Sequence, residues 1–111
     1  MIEITIINFL KTQLSVPVHS QKPSSPPNRY VVIDKIGSSK ENHLLSSTIA
    51  FQSYAESKYE AALLNEQVKE AVENMIILDD VAGVYLKSDY NFTDTTKKEY
   101  RYQAVFEINH Y

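Results

Sequence analysis

The segment spanning residues 57–75 constrains the fold most, because its type, its start and its buried face can all be read from the residues. Ser57 is followed three residues later by Glu60, the spacing of a capping box, in which the two side chains satisfy backbone N–H groups of the first helical turn. The segment is therefore predicted to be a helix that begins at Ser57. Its apolar residues recur at spacings of three and four and form one stripe: Ala61, Leu64, Val68, Ala71, Val72 and Met75.

One buried stripe and one wet face indicate a helix that packs against another layer. A coiled-coil partner would fit the same spacing, but about two and a half heptads is short for a coiled coil. Segments with strand character flank the helix on both sides. We therefore expect it to pack against a sheet of its own chain.

Four segments carry the alternation or the β-branched content of strands, at residues 30–36, 48–54, 84–90 and 100–111. In the second, Ile49 and Phe51 alternate with polar positions. In the third, residues 84, 86, 88 and 90 are expected to share one face. In the last, alternation continues to the end of the chain, which predicts that the C-terminus is held in the sheet and pairs with the third strand as an antiparallel hairpin.

The remaining segments are predicted as one helix, one short extended piece and several connections. Residues 1–14 fit a strand or a helix by their apolar spacing, and we favour the helix. Residues 16–18 are extended, and residues 19–28 form a loop because they hold three of the four prolines. Residues 37–47 and 91–99 are predicted as long polar loops. Asp79 and Asp80 lie in a turn after the central helix, and Gly83 helps to turn the chain.

The predicted order is α-β-β-β-α-β-β, in a single domain over residues 1–111. This order indicates an α+β fold, with a mostly antiparallel sheet and two helices packed on one face. A chain of 111 residues with 43% hydrophobic residues is large enough for one core.

Composition argues against several classes of function. The chain has no cysteine, which removes disulfides and thiolate chemistry. No apolar run is long enough to span a bilayer, and Glu3 stands where a signal peptide would carry positive charge, so we expect neither membrane insertion nor export. The net charge is −3, and basic residues cluster only at Lys97 and Lys98, so specific nucleic-acid binding is not expected.

Catalytic and metal-binding patterns are also missing from the sequence. His19, His43 and His110 lie in three separate segments, with none of the close spacings that metal sites use. Asp79 and Asp80 are adjacent and more typical of a solvated turn than of paired catalytic carboxylates. We therefore expect no enzyme activity and no cofactor. A small enzyme stays open as an alternative only if the three histidines converge.

Tyrosine is the residue type in excess, with eight in the chain. Tyrosine is favoured both on half-buried sheet faces and in protein interfaces. The excess thus fits either cross-strand packing or a sheet face or edge that docks on another copy of the protein.

Taken together, the segments resemble the small tail terminator, or tail completion, proteins of long-tailed bacteriophages and prophages of Gram-positive hosts. The resemblance covers nearly the whole chain. It rests on the order of the segments and on their amino-acid residues rather than on a catalytic signature. An N-terminal helix, VPV and a proline-rich loop precede the segments that carry the resemblance: RYVVIDKIGSS, TIAFQSYAES, EAALLNEQVKEAVENM, SDYNFTDTTKKEYRY and AVFEINHY.

The resemblance implies a structural virion protein without an active site. Such proteins form a ring, typically a hexamer, that caps the head-proximal end of the tail tube, stops its polymerisation and joins the tail to the head. The implied partners are further copies of the chain, the major tail tube protein and a head completion protein, with DNA only passing through the lumen. Assembly would occur in the cytoplasm of the bacterial host.

No family motif fixes individual functional residues, so the expected partner-facing positions are chosen from the polar loops and the tyrosine-rich hairpin. Two hypotheses compete with that of a tail terminator. In these alternatives, the chain is either a head completion or head-tail connector protein, or a protein-binding module that is not part of the virion. The expected interface residues are Lys40, Glu41, His43, Asp94, Lys97, Lys98, Tyr100 and Tyr102.

Overall fold

A five-stranded sheet with two helices on one face forms the whole molecule, which is described here by a computed structural model of residues 1–111. The elements in chain order are α1 (Ile2–Gln13), β1 (Val18–His19), β2 (Tyr30–Glu41), β3 (Leu44–Ala55), α2 (Lys58–Glu73), a 3₁₀ helix (Asn74–Ile77), β4 (Val81–Asn91) and β5 (Tyr100–His110). The predicted α+β class and the order α-β-β-β-α-β-β are confirmed.

The spatial order of the strands is β1-β2-β3-β5-β4. All neighbouring strands are antiparallel except β1 and β2, which pair in parallel over two residues, Val18 with Val31 and His19 with Val32. The predicted hairpin of the last two strands is therefore confirmed. The chain end is also held in place, because the backbone N–H of Tyr111 donates to the carbonyl of Asp80.

The core lies between the sheet and the two helices. Phe51 of β3 and Phe106 of β5 meet edge to face at its centre, with ring centroids 5.7 Å apart, and both are fully buried. α2 contributes the predicted stripe up to Val72, and the 3₁₀ helix contributes the last residue of the stripe, Met75. α1 contributes Ile2, Ile6 and Leu10. The Ser57 half of the predicted capping box is confirmed, because the Ser57 hydroxyl accepts a hydrogen bond of 3.1 Å from the backbone N–H of Glu60. The Glu60 carboxylate instead forms an ion pair with Arg29.

Residues 37–47, predicted to be a polar loop, instead form the outer part of a long hairpin. β2 continues to Glu41 and β3 begins at Leu44, so only Asn42 and His43 form the turn. Both have positive φ, 51° and 67°, as in the type I′ turns that match the twist of a hairpin. The β2 half of the arm was missed because residues 37–41 are exposed on both faces, which removes the apolar alternation that marks a strand.

Gly83 was predicted to turn the chain, and this was wrong. It lies within β4, where the pairing with β5 shifts register between Val81 and Gly83. A Cβ atom at this position would come within 2.7 Å of the Tyr85 ring. The glycine therefore accommodates a tyrosine of its own strand.

A second bulge in β4 overturns the prediction that residues 84, 86, 88 and 90 share a face. The register shifts between Leu86 and Ser88, which leaves Lys87 as the extra residue. Before the bulge, Leu86 pairs with Phe106 on the core side; after it, Asp89 takes the core side opposite Ala104. Ser88 and Tyr90 consequently point away from the helices.

Candidate interaction surfaces

The two groups of charged residues expected to face partners lie at opposite ends of the sheet. The turn between β2 and β3 holds His43, next to Lys40 and Glu41, and the connection between β4 and β5 holds Asp94, Lys97 and Lys98. The strand pairing places the first turn at one end of the strands and the second at the other. The molecule is elongated, 44 Å long against 25 and 24 Å in the other two directions.

The β2–β3 turn is a small charged projection. Lys40, Glu41 and His43 are all exposed. The left-handed backbone of Asn42 and His43 fixes how these side chains are presented.

The β4–β5 connection is an ordered turn rather than an open loop. Asp94 and Glu99 exchange backbone hydrogen bonds of 2.9 and 3.0 Å. The Asp94 carboxylate also accepts from the backbone N–H groups of Thr96 and Lys97, at 3.0 and 3.2 Å. Asp94 is thus a structural residue of the turn, whereas Lys97 and Lys98 are exposed at its tip, with Lys98 at a φ of 55°.

The same turn is tied to the proline-rich segment. Lys22 forms an ion pair with the Glu99 carboxylate, although the two residues are 77 positions apart in the chain. Nearby, the Arg29 guanidinium binds both carboxylate oxygens of Glu56, which lowers the pKa of Glu56 below its usual 4.5. These contacts organise one end of the sheet around residues far apart in sequence.

Tyr100 and Tyr102 lie on the helix side of the sheet, opposite Ala55 and Ser53 of β3. Both are half-buried. Tyr100 lines a surface cleft of about 360 Å³ together with Lys58 at the start of α2 and Lys98. The structure therefore brings Tyr100 and Lys98 together but leaves them at the opposite end from Lys40, Glu41 and His43.

The sheet face away from the helices holds an aromatic cluster that sequence reasoning missed. Tyr30 and Tyr54 stack with ring centroids 4.5 Å apart, and both are buried together with Val32. Burial raises the pKa of Tyr30 to about 12. The Arg101 guanidinium lies over Tyr54, 5.6 Å from the ring centroid, and donates to the Tyr54 hydroxyl at 2.9 Å.

A row of hydrogen bonds crosses the same face. Gln52 of β3 donates to Gln103 of β5 at 2.8 Å, and Gln103 donates to the Tyr90 hydroxyl of β4 at 2.5 Å. The row ties three strands together through side chains. The alternation of Gln52 and Tyr54 against Phe51 was the sequence signal for this face, but it did not reveal which strands are neighbours.

The three histidines lie in separate surroundings. His19, predicted to lie in a loop, is in β1 near Tyr30, while His43 is at the far turn. His110 is buried, and its Nε2 lies 2.8 Å from the Ser47 hydroxyl. Burial lowers the pKa of His110. No group of three histidine, aspartate or glutamate residues is arranged to hold a metal ion.

The pair of Ser47 and His110 has the residue types of a nucleophile and its base. Ser47, however, is only 1% exposed and His110 only 7%. An activated serine must reach its substrate, and this one faces the interior. The pair therefore satisfies two buried polar groups with each other.

No helix combines the length and the apolar character that crossing a bilayer requires. No family model matches the chain, and no curated protein matches it.

Proposed function

We propose that the chain is a structural protein of phage tail assembly. It forms a ring, typically a hexamer, on the head-proximal end of the tail tube, where it stops tube polymerisation and joins the tail to the head. The observation that carries this proposal is the pair of charged turns at opposite ends of the sheet, which is considered together with the resemblance of the segments.

A protein that ends a tube and joins it to a head needs two contact surfaces facing in opposite directions. The tip of the β2–β3 arm, with Lys40, Glu41 and His43, supplies one such surface. The β4–β5 turn, with Lys97 and Lys98, supplies the other. Their separation along the 44 Å axis allows one copy to contact the major tail tube protein and a head completion protein at the same time.

The hydrogen bonds within the β4–β5 turn support the same role. Asp94 and the ion pair between Lys22 and Glu99 hold the turn before any partner arrives. A surface ordered in advance loses less conformational entropy on binding, which favours assembly from many copies.

The test is electron microscopy of particles from a phage that carries a stop codon early in this gene, with the intact gene supplied in trans as the control. We expect overlong tails detached from filled heads, restored to normal by the control. Tails of normal length beside unjoined or leaking heads would instead identify a head completion protein.

Intact virions from the same mutant would contradict both assembly roles and favour a binding module outside the virion. Mass spectrometry of gradient-purified wild-type particles gives an independent check. We expect to find peptides of this chain in the particles. Their absence would contradict the proposal that the protein is part of the virion.

A further inference from the structure

The sheet has two open edges, and their strands run in the opposite directions that antiparallel pairing requires. β4 is the last strand on one side and has no neighbour beyond it. On the other side, β1 pairs with β2 only at Val31 and Val32, so the arm of β2 from Asp34 to Glu41 is unpaired on its outer side. Because β4 runs opposite to β2, residues 81–88 of a second copy placed beside this arm would continue the sheet with antiparallel pairing. β1 occupies the levels of Tyr90 and Asn91, so the pairing ends before them.

The exposed apolar side chains on the two edges lie at the same level. Strand pairing puts Gly37, Thr48, Glu107 and Tyr85 in one row across the sheet. Ile36, the extra residue of the bulge beside Gly37, is 55% exposed, and Tyr85 is 50% exposed. In a continued sheet, Ile36 of one copy would lie beside Tyr85 of the next.

The charges on the two edges are complementary two rows away, beyond the row that holds Lys35 and Leu86. Asp34, Ala50, Val105 and Ser88 form another row, and Lys87 is the extra residue beside Ser88. Asp34 and Lys87 are both exposed. A second copy at the same level would bring Asp34 next to Lys87, with opposite charges across the junction.

We propose that β4 of one copy pairs with the β2 arm of the next copy, with Ile36 against Tyr85 and Asp34 against Lys87. The contact is head to tail, since it joins two different surfaces, and repeated contacts of this kind close into a ring when the rotation per copy allows it. This inference rests on the proposed ring and names the surface that builds it.

Cross-linking of the full chain tests the contact, because the protein has no cysteine of its own. Ile36→Cys and Tyr85→Cys are made in separate chains, mixed, and treated with a short bis-maleimide. We expect cross-linked dimers in the mixture, several-fold above the yield from either variant alone. Equal yields from a single variant would overturn the head-to-tail contact.

The matched control replaces Tyr85→Cys by Tyr90→Cys. Tyr90 is an exposed tyrosine of the same strand, on the same face, about 13 Å further along at roughly 3.3 Å per residue. The mixture of Ile36→Cys and Tyr90→Cys should give background yield only. If it cross-links as well as the first mixture, the proposed register is wrong.

Two further pairs of variants keep the test decisive. Ser39 and Ala82 are exposed further along the same two edges. If one of the first variants fails to fold, the experiment is repeated with Ser39→Cys and Ala82→Cys. Asp34→Lys should lower the yield of the first mixture, and Lys87→Asp in the partner chain should restore it. No restoration would overturn the charge pairing.

The result is separable from that of the phage experiment. If the cross-link is specific but virions form normally without the protein, the edge contact is supported and the role in tail assembly is contradicted. Overlong tails combined with background cross-linking would keep the tail function and remove this contact.

Discussion

The side-chain amide of Asn65 on α2 donates a hydrogen bond of 2.7 Å to Oδ1 of Asp89 on β4. Lys69, one turn further along the helix, forms an ion pair with the other oxygen of the same carboxylate and with Glu66. The hydrogen bonds to Asp89 and then Glu66 raise the pKa of Lys69. The bulge at Lys87 makes this contact possible, because it turns Asp89 toward the helix.

Asp89→Ala is expected to destabilise the fold by about 1–3 kcal/mol, because it leaves the Asn65 amide, only 1% exposed, without a partner. Urea unfolding measures the difference. Asp79→Ala is the control, since Asp79 is an exposed aspartate in the turn before β4, and it should change the free energy of unfolding by less than about 0.5 kcal/mol. Equal effects of the two substitutions would show that Asp89 does not hold α2 to the edge strand.

Leu64→Asp is expected to cost more than about 3 kcal/mol, because it places an unpaired charge in the core between α2 and the sheet. Leu63→Asp is the matched control on the same helix, at a position that is 42% exposed, and should cost less than about 1 kcal/mol. The two variants are compared by thermal and urea unfolding. A Leu64→Asp protein as stable as its Leu63→Asp counterpart would contradict the packing of α2.

The sequence predicts those parts of the fold where one face is buried and the other is wet. The stripe of α2 and the alternation around Phe51 and Phe106 give the class, the order of elements and the last hairpin, because burial on one side leaves a period in the residues. The β2 half of the hairpin arm, residues 37–41, has no such period, because both of its faces are exposed to water.

Bulges are the second kind of feature that the pattern does not reveal. An extra residue such as Lys87 reverses which positions face the core, and nothing in the run VYLKSDY marks it. The candidate surfaces depended on this level of detail. Lys97 and Lys98 could be placed in a polar loop from sequence, but their position opposite the β2–β3 turn required the strand order.

His43→Gly is expected to stabilise the protein by up to about 1 kcal/mol, because His43 has a φ of 67° and glycine adopts that conformation without steric cost. His43→Val should have the opposite effect, since a β-branched side chain is strained there. The urea midpoints of both variants are the measurement. If valine is tolerated as well as glycine, the two-residue turn is not formed as described.

The stability of the protein should decrease as the pH falls below 6.5, because burial lowers the pKa of His110 below that ordinary value. Lys35 and the N-terminal amine lower it further, while the Tyr111 backbone and Glu3 oppose the shift. The unfolded chain therefore binds a proton at this histidine at a higher pH than the folded one. The contribution of His110 to the free energy of unfolding is fully present above pH 6.5, and it is lost as the pH falls toward the pKa of the folded state.

His110→Gln should flatten this decline in urea unfolding measured across the range from pH 6.5 down to 4.5. The contribution of Glu56 begins only below its usual pKa of 4.5, because Arg29 lowers the pKa of that carboxyl group, and it therefore lies outside the window. His43→Gln is the control, since this side chain is exposed, and it should keep the slope. An unchanged slope in His110→Gln would remove His110 as its source.

Substitutions at the two ends of the sheet should produce two different assembly defects with no loss of stability. Lys97→Glu with Lys98→Glu reverses the charge at the β4–β5 turn, while Lys40→Glu with Glu41→Lys exchanges charges at the other turn and keeps the net charge. All four side chains are exposed, so thermal unfolding of both double variants should match that of the wild type. Electron microscopy of phage particles that carry each variant is the measurement.

If the two surfaces contact different partners, one variant should give overlong tails and the other completed tails that fail to join heads, because each change disturbs only one junction. Normal particles from the first variant would remove the β4–β5 turn from the partner surface, and the same defect from both variants would contradict the assignment of separate partners to the two ends.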